Sequence, residues 1–281
     1  MLENAPLFII LDFRNTRSER MAKLEAEFGL SLTEKGYLLL KSAIDWQSKS
    51  ERSDYYFDVF DGRDFLLSKN KEWKWRIKDS AQGSKGEVSF LRAQSEVSLN
   101  DITLRISKRN SSSAGTKKKS LDKLVERTVE VVDFLTTSNK GLSAERVAEA
   151  AEGFNKELLK LGFLPEIATE RFDSSSSTFA LPAYWNEKKR KGLLIEFEYT
   201  NLEVFIEKKS LLDSKGREIF VYALEAEPES VLEPKKLNRT GIELIEFLEE
   251  VGLTAAHLNS VSPDPWAFVR TRLERTLVMS R

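Results

Sequence analysis

The chain has no cysteine and a single histidine among 281 residues. Without cysteine there is no disulfide framework and no thiolate zinc site, which fits a reducing compartment such as the cytoplasm. The one histidine, His257, falls between two closing helices and reads as a packing or surface residue. Long apolar runs are missing too: "PLFIIL" (6–11) is of strand length, far short of a membrane span. The first residues lack a basic stretch followed by an apolar one, so no signal peptide is expected. Neither sign of charge is in surplus, with 44 basic against 45 acidic residues and a net charge of −1. Nothing global therefore draws the chain to nucleic acid or an anionic membrane, and any binding charge must be local. A soluble, cytoplasmic, monomeric protein is the expectation, and 41% hydrophobic content is enough to give it a substantial core.

What the sequence does have is alternation. "GLLIEFEYT" (192–200) and "VYALEAEPE" (221–229) interleave apolar residues with Glu196 and Glu198, and with Glu225 and Glu227. Strand side chains change face at every residue, so each pair shares a face, ~6–7 Å apart along the strand. A basic counterpart lies in "KWRIKD", where Lys74, Arg76 and Lys78 share one face and Trp73, Trp75 and Ile77 the other. Arg92 ends the strand "VSFLR", Arg14 shares a face with Asp12 in "ILDFR", and Arg171 sits in "TERFD".

The pattern predicts a buried strand over 5–15, then a helix over 18–29 with Ser18 as cap and Gly29 as stop. Short strands follow at 54–60, 72–79 and 86–93, and a flexible Ser/Lys loop at 107–120. Residues 120–135 are ambiguous between strand and helix. A helix is expected over 143–162, with Val147, Ala151, Phe154, Leu158 and Leu161 on one face. Strands return at 165–173, 177–185, 192–200, 202–208 and 218–227, and closing helices occupy 237–281. This layout predicts an α+β fold, one domain over 1–281, with about eight mainly antiparallel strands able to close on themselves. Helices on the apolar outside would turn the charged faces inward. Charges held there need partners, because an unpaired buried charge is very costly. A polyphosphate with divalent cations would supply them, since Arg and Lys hold phosphate oxygens and clustered carboxylates hold Mg2+ or Mn2+.

The stretch "YYFDVFDGRDFLLSKNKEWKWRIKD" (55–79) resembles the signature of the CYTH domains, the triphosphate tunnel metalloenzymes, and within them most the thiamine triphosphatases. The order of elements follows that family over roughly 7–280. The resemblance implies an eight-stranded antiparallel β-tunnel with helices packed outside. It also implies metal-dependent hydrolysis of an organic triphosphate, thiamine triphosphate-like, to diphosphate and phosphate. Arg14, Arg76, Lys78, Arg92 and Arg171 would hold the phosphates; Asp12, Glu196, Glu198, Glu225 and Glu227 would supply ligands for Mg2+ or Mn2+. Arg76, Lys78 and Glu225 would be the catalytic group. The family's opening Glu-x-Glu-x-Lys strand falls on Ile10, Asp12 and Arg14, so Ile10 stands where a carboxylate is expected. An extra hairpin is expected over 199–220. The loss at Ile10 leaves a second possibility, a triphosphate- or polyanion-binding relative that does not catalyse. RNA 5′-triphosphate chemistry, helped by Lys117–Lys119, ranks lower on the balanced charge.

Overall fold

In the computed structural model the described residues are 23–60, 73–116, 143–160, 179–212 and 218–259, with a few helical positions between 122 and 134. Eight strands form a single closed ring in the order β1-β5-β4-β3-β2-β6-β7-β8. They are β1 (Lys23–Leu32), β2 (Ser48–Phe60), β3 (Trp73–Ser80), β4 (Gly83–Leu99), β5 (Ile102–Thr116), β6 (Phe179–Glu196), β7 (Asn201–Leu212) and β8 (Glu218–Pro228). All eight neighbouring pairs are antiparallel, so no strand edge is left open along the described ladder. The expected antiparallel tunnel is the observed architecture.

The two faces of these strands differ as the alternation requires. On β1, Phe28, Leu30 and Leu32 are buried, as are Leu104 and Ile106 on β5, Val204 and Ile206 on β7, and Leu224 and Ala226 on β8. All belong to one hydrophobic cluster with Leu237, Leu244, Ile245 and Leu248 of helix α3 (Pro234–Glu250) and Tyr37 and Leu40 of helix α1 (Glu34–Ala43). The core is thus outside the barrel, between sheet and helices. Burying each such aliphatic side chain contributes about 1.5–3 kcal/mol. Gly241 lets α3 lie close: a Cβ there would come within 2.6 Å of Val97 and 2.9 Å of Phe28. Thr33 caps α1, its hydroxyl accepting from the Gly36 N–H at 3.1 Å, and Pro234 opens α3 where its missing N–H is harmless. A second helix, α2 (Ala144–Lys160), packs on β6, with Val147, Ala151, Phe154 and Leu158 fully buried on the expected face. No helix among the described residues is long and apolar enough to cross a membrane.

Four expectations are corrected. The helix foreseen over 18–29 is not one where it is described: residues 23–32 form β1, because Ala26, Phe28, Leu30 and Leu32 repeat every second residue. Gly29 is interior to that strand, paired with Arg105 and Glu225, and stops nothing. The Ser/Lys loop is strand through Thr116: Ser107–Ser111 pair with β1 and Ser107–Thr116 with β4. Its serines suit an inward face, where Ser107 and Ser111 are buried. The two strands expected at 177–185 and 192–200 are one 18-residue strand, β6, running through "NEKKRK" and ending at Glu196. The extra hairpin over 199–220 is absent as such, since β7 belongs to the ring and pairs with both β6 and β8. The strand expected at 5–15, the strand at 165–173, Leu161 and the last closing helix lie outside the described residues.

Candidate functional site

If the even residues of β8 face the helices, the odd ones face the barrel axis: Ala223, Glu225 and Glu227. On β3, Trp75 and Ile77 are buried on the outer side, so Lys74, Arg76 and Lys78 turn inward. Counting round the ring, β3 and β8 are four strands apart in either direction and so face each other across the axis. The basic strand and the acidic strand oppose one another inside one barrel.

Around Arg76 the pairing is dense. Its Nε donates to Glu87 Oε1 at 2.9 Å and its Nη2 to the same oxygen at 2.7 Å, while Nη1 lies 3.6 Å from Asp54 Oδ2. Lys78 contacts the other Glu87 oxygen, and Arg52 holds Asp54 from 2.9 Å. Asp54 is fully buried. Burial alone would raise its pKa, yet the attraction of Lys188, Arg76 and Arg52 holds it well below the usual carboxylate range. For Glu87, burial is likewise outweighed by Arg76 and Lys78, which bring it down to about 2. Burial, with Arg76 beside it, pushes the Lys78 ammonium down.

A second group lies on β6, β7 and β8. Glu207, fully buried, accepts from Lys188 at 3.1 Å, contacts Arg190 and has Lys209 at 2.7 Å. Glu225 takes Arg190 Nη2 at 2.5 Å and Lys209 at 2.9 Å, with Lys188 at 3.8 Å. Burial opposes the ionised form of Glu225, but Lys188, Lys209 and Arg190 drive its pKa down. Burial drives the Lys188 ammonium down, against the pull of Glu207 and Glu225. Lys188 also lies 3.8 Å from Asp54 and so joins the two groups. Glu227 differs from its neighbours: burial and the like charges of Glu27 and Glu225 push its pKa up, against Arg190. The Arg190 guanidinium stacks on Phe205, 4.4 Å from the ring centroid.

Of the residues singled out in the sequence, the barrel brings Arg76, Lys78, Glu225 and Glu227 to its interior. Arg92 is elsewhere: it is the bulged residue between Leu91 and Ala93, exposed, with its guanidinium over the Phe90 ring at 5.1 Å. Glu196 is the exposed last residue of β6, and Glu198 sits in the turn after it, with its N–H on Glu243 at 3.4 Å. Asp12, Arg14 and Arg171 lie outside the described residues. Sequence reading passed over Asp54, Glu87, Lys188, Arg190, Glu207 and Lys209, though each alternates with apolar or outward residues in "SDYYFD", "GEVSF", "NEKKRKG" and "VFIEKKS".

The arrangement is suited to exchanging partners. Arg76, Lys78, Lys188, Arg190 and Lys209 each already hold a carboxylate, so an arriving polyanion would take over bases while the released carboxylates accept a cation. Among the described residues no three His, Asp or Glu side chains converge as a preformed metal cage.

No family model matches the chain, and no curated protein matches it at a significant level. Solved structures do. An adenylyl cyclase-class protein from Hippeastrum, described as revealing a dominant triphosphatase activity, is 15% identical at TM-score 0.47, covering 88% of this chain and 95% of that one. An RNA triphosphatase from S. pombe, in complex with the Spt5 CTD, is 9% identical at TM-score 0.38, covering 92% and 85%. A Mimivirus capping enzyme triphosphatase is 8% identical at TM-score 0.36, covering 80% and 89%. At these scores the likenesses decide nothing about chemistry, and the closed barrel stands on its own strand pairing.

Proposed function

We propose that this protein hydrolyses an organic triphosphate, of the thiamine triphosphate kind, to diphosphate and phosphate inside its barrel. One observation carries the reading: a buried ionic lining in which the bases of β3 face the acids of β8 across a closed ring. A permanently buried ionic network is a poor source of stability compared with apolar packing. Its presence in the barrel, with the apolar core kept outside, fits a lining kept for a charged guest.

In this reading Arg76 and Lys78 leave Glu87 to hold phosphate oxygens, with Arg190, Lys188 and Lys209 completing the cradle from β6 and β7. Arg76 is suited to two oxygens at once, and Lys78 acts as a point charge. Glu225 and Glu227 would hold Mg2+, and the ion would supply charge neutralisation on the phosphates and orientation of the water. Arg92, Glu196 and Glu198, placed away from the cluster, are left with no direct part. The chain's own work is to position the triphosphate, to stabilise charge building on the leaving oxygen through Arg76 and Lys78, and to orient the attacking water through Glu225. No side-chain nucleophile is needed, in keeping with the lack of cysteine.

A second reading is a binder that does not turn over. It is favoured by the prior engagement of Glu207 and Glu225 with three cations, which competes with any metal. Phosphate release from thiamine triphosphate, ATP and tripolyphosphate, with and without Mg2+, separates the two. Mg2+-dependent release is expected, and Glu225→Gln should cut it roughly a hundredfold or more without unfolding the protein. Binding without release would favour the binder; no shift in melting temperature with any triphosphate would defeat both.

A further inference from the structure

The inner face of β6 changes character along its length. Deep in the barrel it presents Lys188 and Arg190; one row further come Gly192 and then Leu194, before the strand ends at Glu196. Leu193 and Ile195 pack on the outer core, which fixes Leu194 on the inner side, and no register shift interrupts the β6–β7 ladder. Opposite, β7 presents Phe205 beside Gly192, and Glu207 and Lys209 beyond it. Gly192 is what seats the ring: a Cβ at that position would come within 3.0 Å of Phe205 and 2.6 Å of the Ser48 hydroxyl. Leu194 is 48% exposed, whereas the ionic residues further along the same face, Lys188 and Arg190, are largely buried; Leu194 is flanked by Glu203 across the β7 ladder and by Glu196 at the strand end.

We propose that Leu194 and Phe205 form an apolar shelf at this mouth of the barrel and seat the organic group of the triphosphate. The inference rests on the reading above and names the part of that site which separates organic triphosphates from bare ones. Rows of a strand that share a face are spaced ~6–7 Å apart. A molecule whose phosphates lie among Arg190, Lys188 and Lys209 therefore carries its organic end one row outward, over Phe205 and Leu194. One face of the Phe205 ring is already covered by Arg190, so the ring also fixes the guanidinium that meets the phosphate end. Exposed leucine at a site where substrate must pass is apolar surface available for contact, and removing apolar contact from such a seat typically costs several-fold in KM.

The test uses the full chain and the substitution Leu194→Gln, which alters an exposed side chain and not the ion-paired rows. Kinetics and calorimetric binding are measured with ATP, thiamine triphosphate and tripolyphosphate, each with Mg2+. The shelf predicts that KM and Kd for at least one of the organic triphosphates rise about three- to tenfold while kcat falls less. The values for tripolyphosphate should stay within about twofold. Organic triphosphates unaffected, or tripolyphosphate weakened equally, would overturn the shelf while leaving the triphosphate reading intact. Wild-type protein that neither binds nor cleaves tripolyphosphate would bring down that reading and the shelf with it.

Discussion

Two walls of the same barrel treat charge differently. On β2, β3 and β4, three cations, Arg52, Arg76 and Lys78, share two carboxylates, Asp54 and Glu87. On β6, β7 and β8 the cations Lys188, Arg190 and Lys209 meet Glu207 and Glu225, with Glu227 as a further acid beside them. One wall leans basic, with three cations to two carboxylates, while the other is balanced at three of each, Glu227 being the acid whose pKa is raised; each does most of its pairing with itself, bridged by Lys188 and Asp54 at 3.8 Å. Under the proposed function that difference would set the anion against the first wall and its cation beside Glu227 on the second. It also says that damage to one wall should stay largely within it.

The largest effect is expected at Glu207, which is fully buried and faces three cations. Glu207→Gln leaves those cations to share Glu225, and breaking a buried pair in this way costs about 3–5 kcal/mol. Chemical denaturation should show that loss. A loss below about 1 kcal/mol would mean that water already reaches the cluster, and the two walls would no longer differ in burial. Repeating the measurement with Glu87→Gln sharpens the contrast: that carboxylate is more accessible, and the loss there should be smaller.

Next in size is the effect of Arg76→Ala on ligand binding. A charge-assisted contact contributes about 1.5–3 kcal/mol, so tripolyphosphate affinity should fall by that amount in calorimetry. Arg92→Ala is the matched control, since its guanidinium lies on the Phe90 side of β4 and should leave affinity unchanged. If both substitutions weaken binding alike, the anion is not held by the inner face of the basic wall.

These two walls were not equally visible in the sequence. Arg76 and Lys78 stand in "KWRIKD" and Glu225 and Glu227 in "ALEAE", where one charged face alternates cleanly with one apolar face, and period two can be read directly. Lys188 and Arg190 are hidden in "NEKKRK", where the outward residues are charged as well and alternation has no contrast. The same run made one strand look like two. In β1 the spacing of "MAKLEAEFG" satisfies a helix as well as a strand, and only its partners β5 and β8 decide the matter. Serine-rich β5 reads as loop because nothing local says that its small hydroxyls line an interior. The closure of the ring was inferable from strand count, but which acid meets which base is set by register, which local sequence does not carry.

The smallest expected effect separates the walls by the sign of their acid response. Glu87 on the basic wall has its pKa lowered to about 2 by Arg76 and Lys78, against burial. Its stabilisation is present above the unfolded value near 4.5 and is lost as pH falls through that value toward 2, about 3–4 kcal/mol at most. Glu227 on the opposite wall has its pKa raised by burial, Glu27 and Glu225, so it favours the fold when protonated. Its contribution is greatest below the unfolded value and declines as pH rises through it toward the folded one. Glu227→Gln should therefore raise the melting temperature at pH 7 by about 2 °C and change it little near pH 4. The same substitution should weaken any Mg2+-dependent gain in melting temperature, because the charge that strains the empty barrel is the charge offered to the ion. A melting temperature that falls at pH 7 would show Glu227 to be paired in the free protein, and this wall would then have no uncommitted carboxylate to offer a cation.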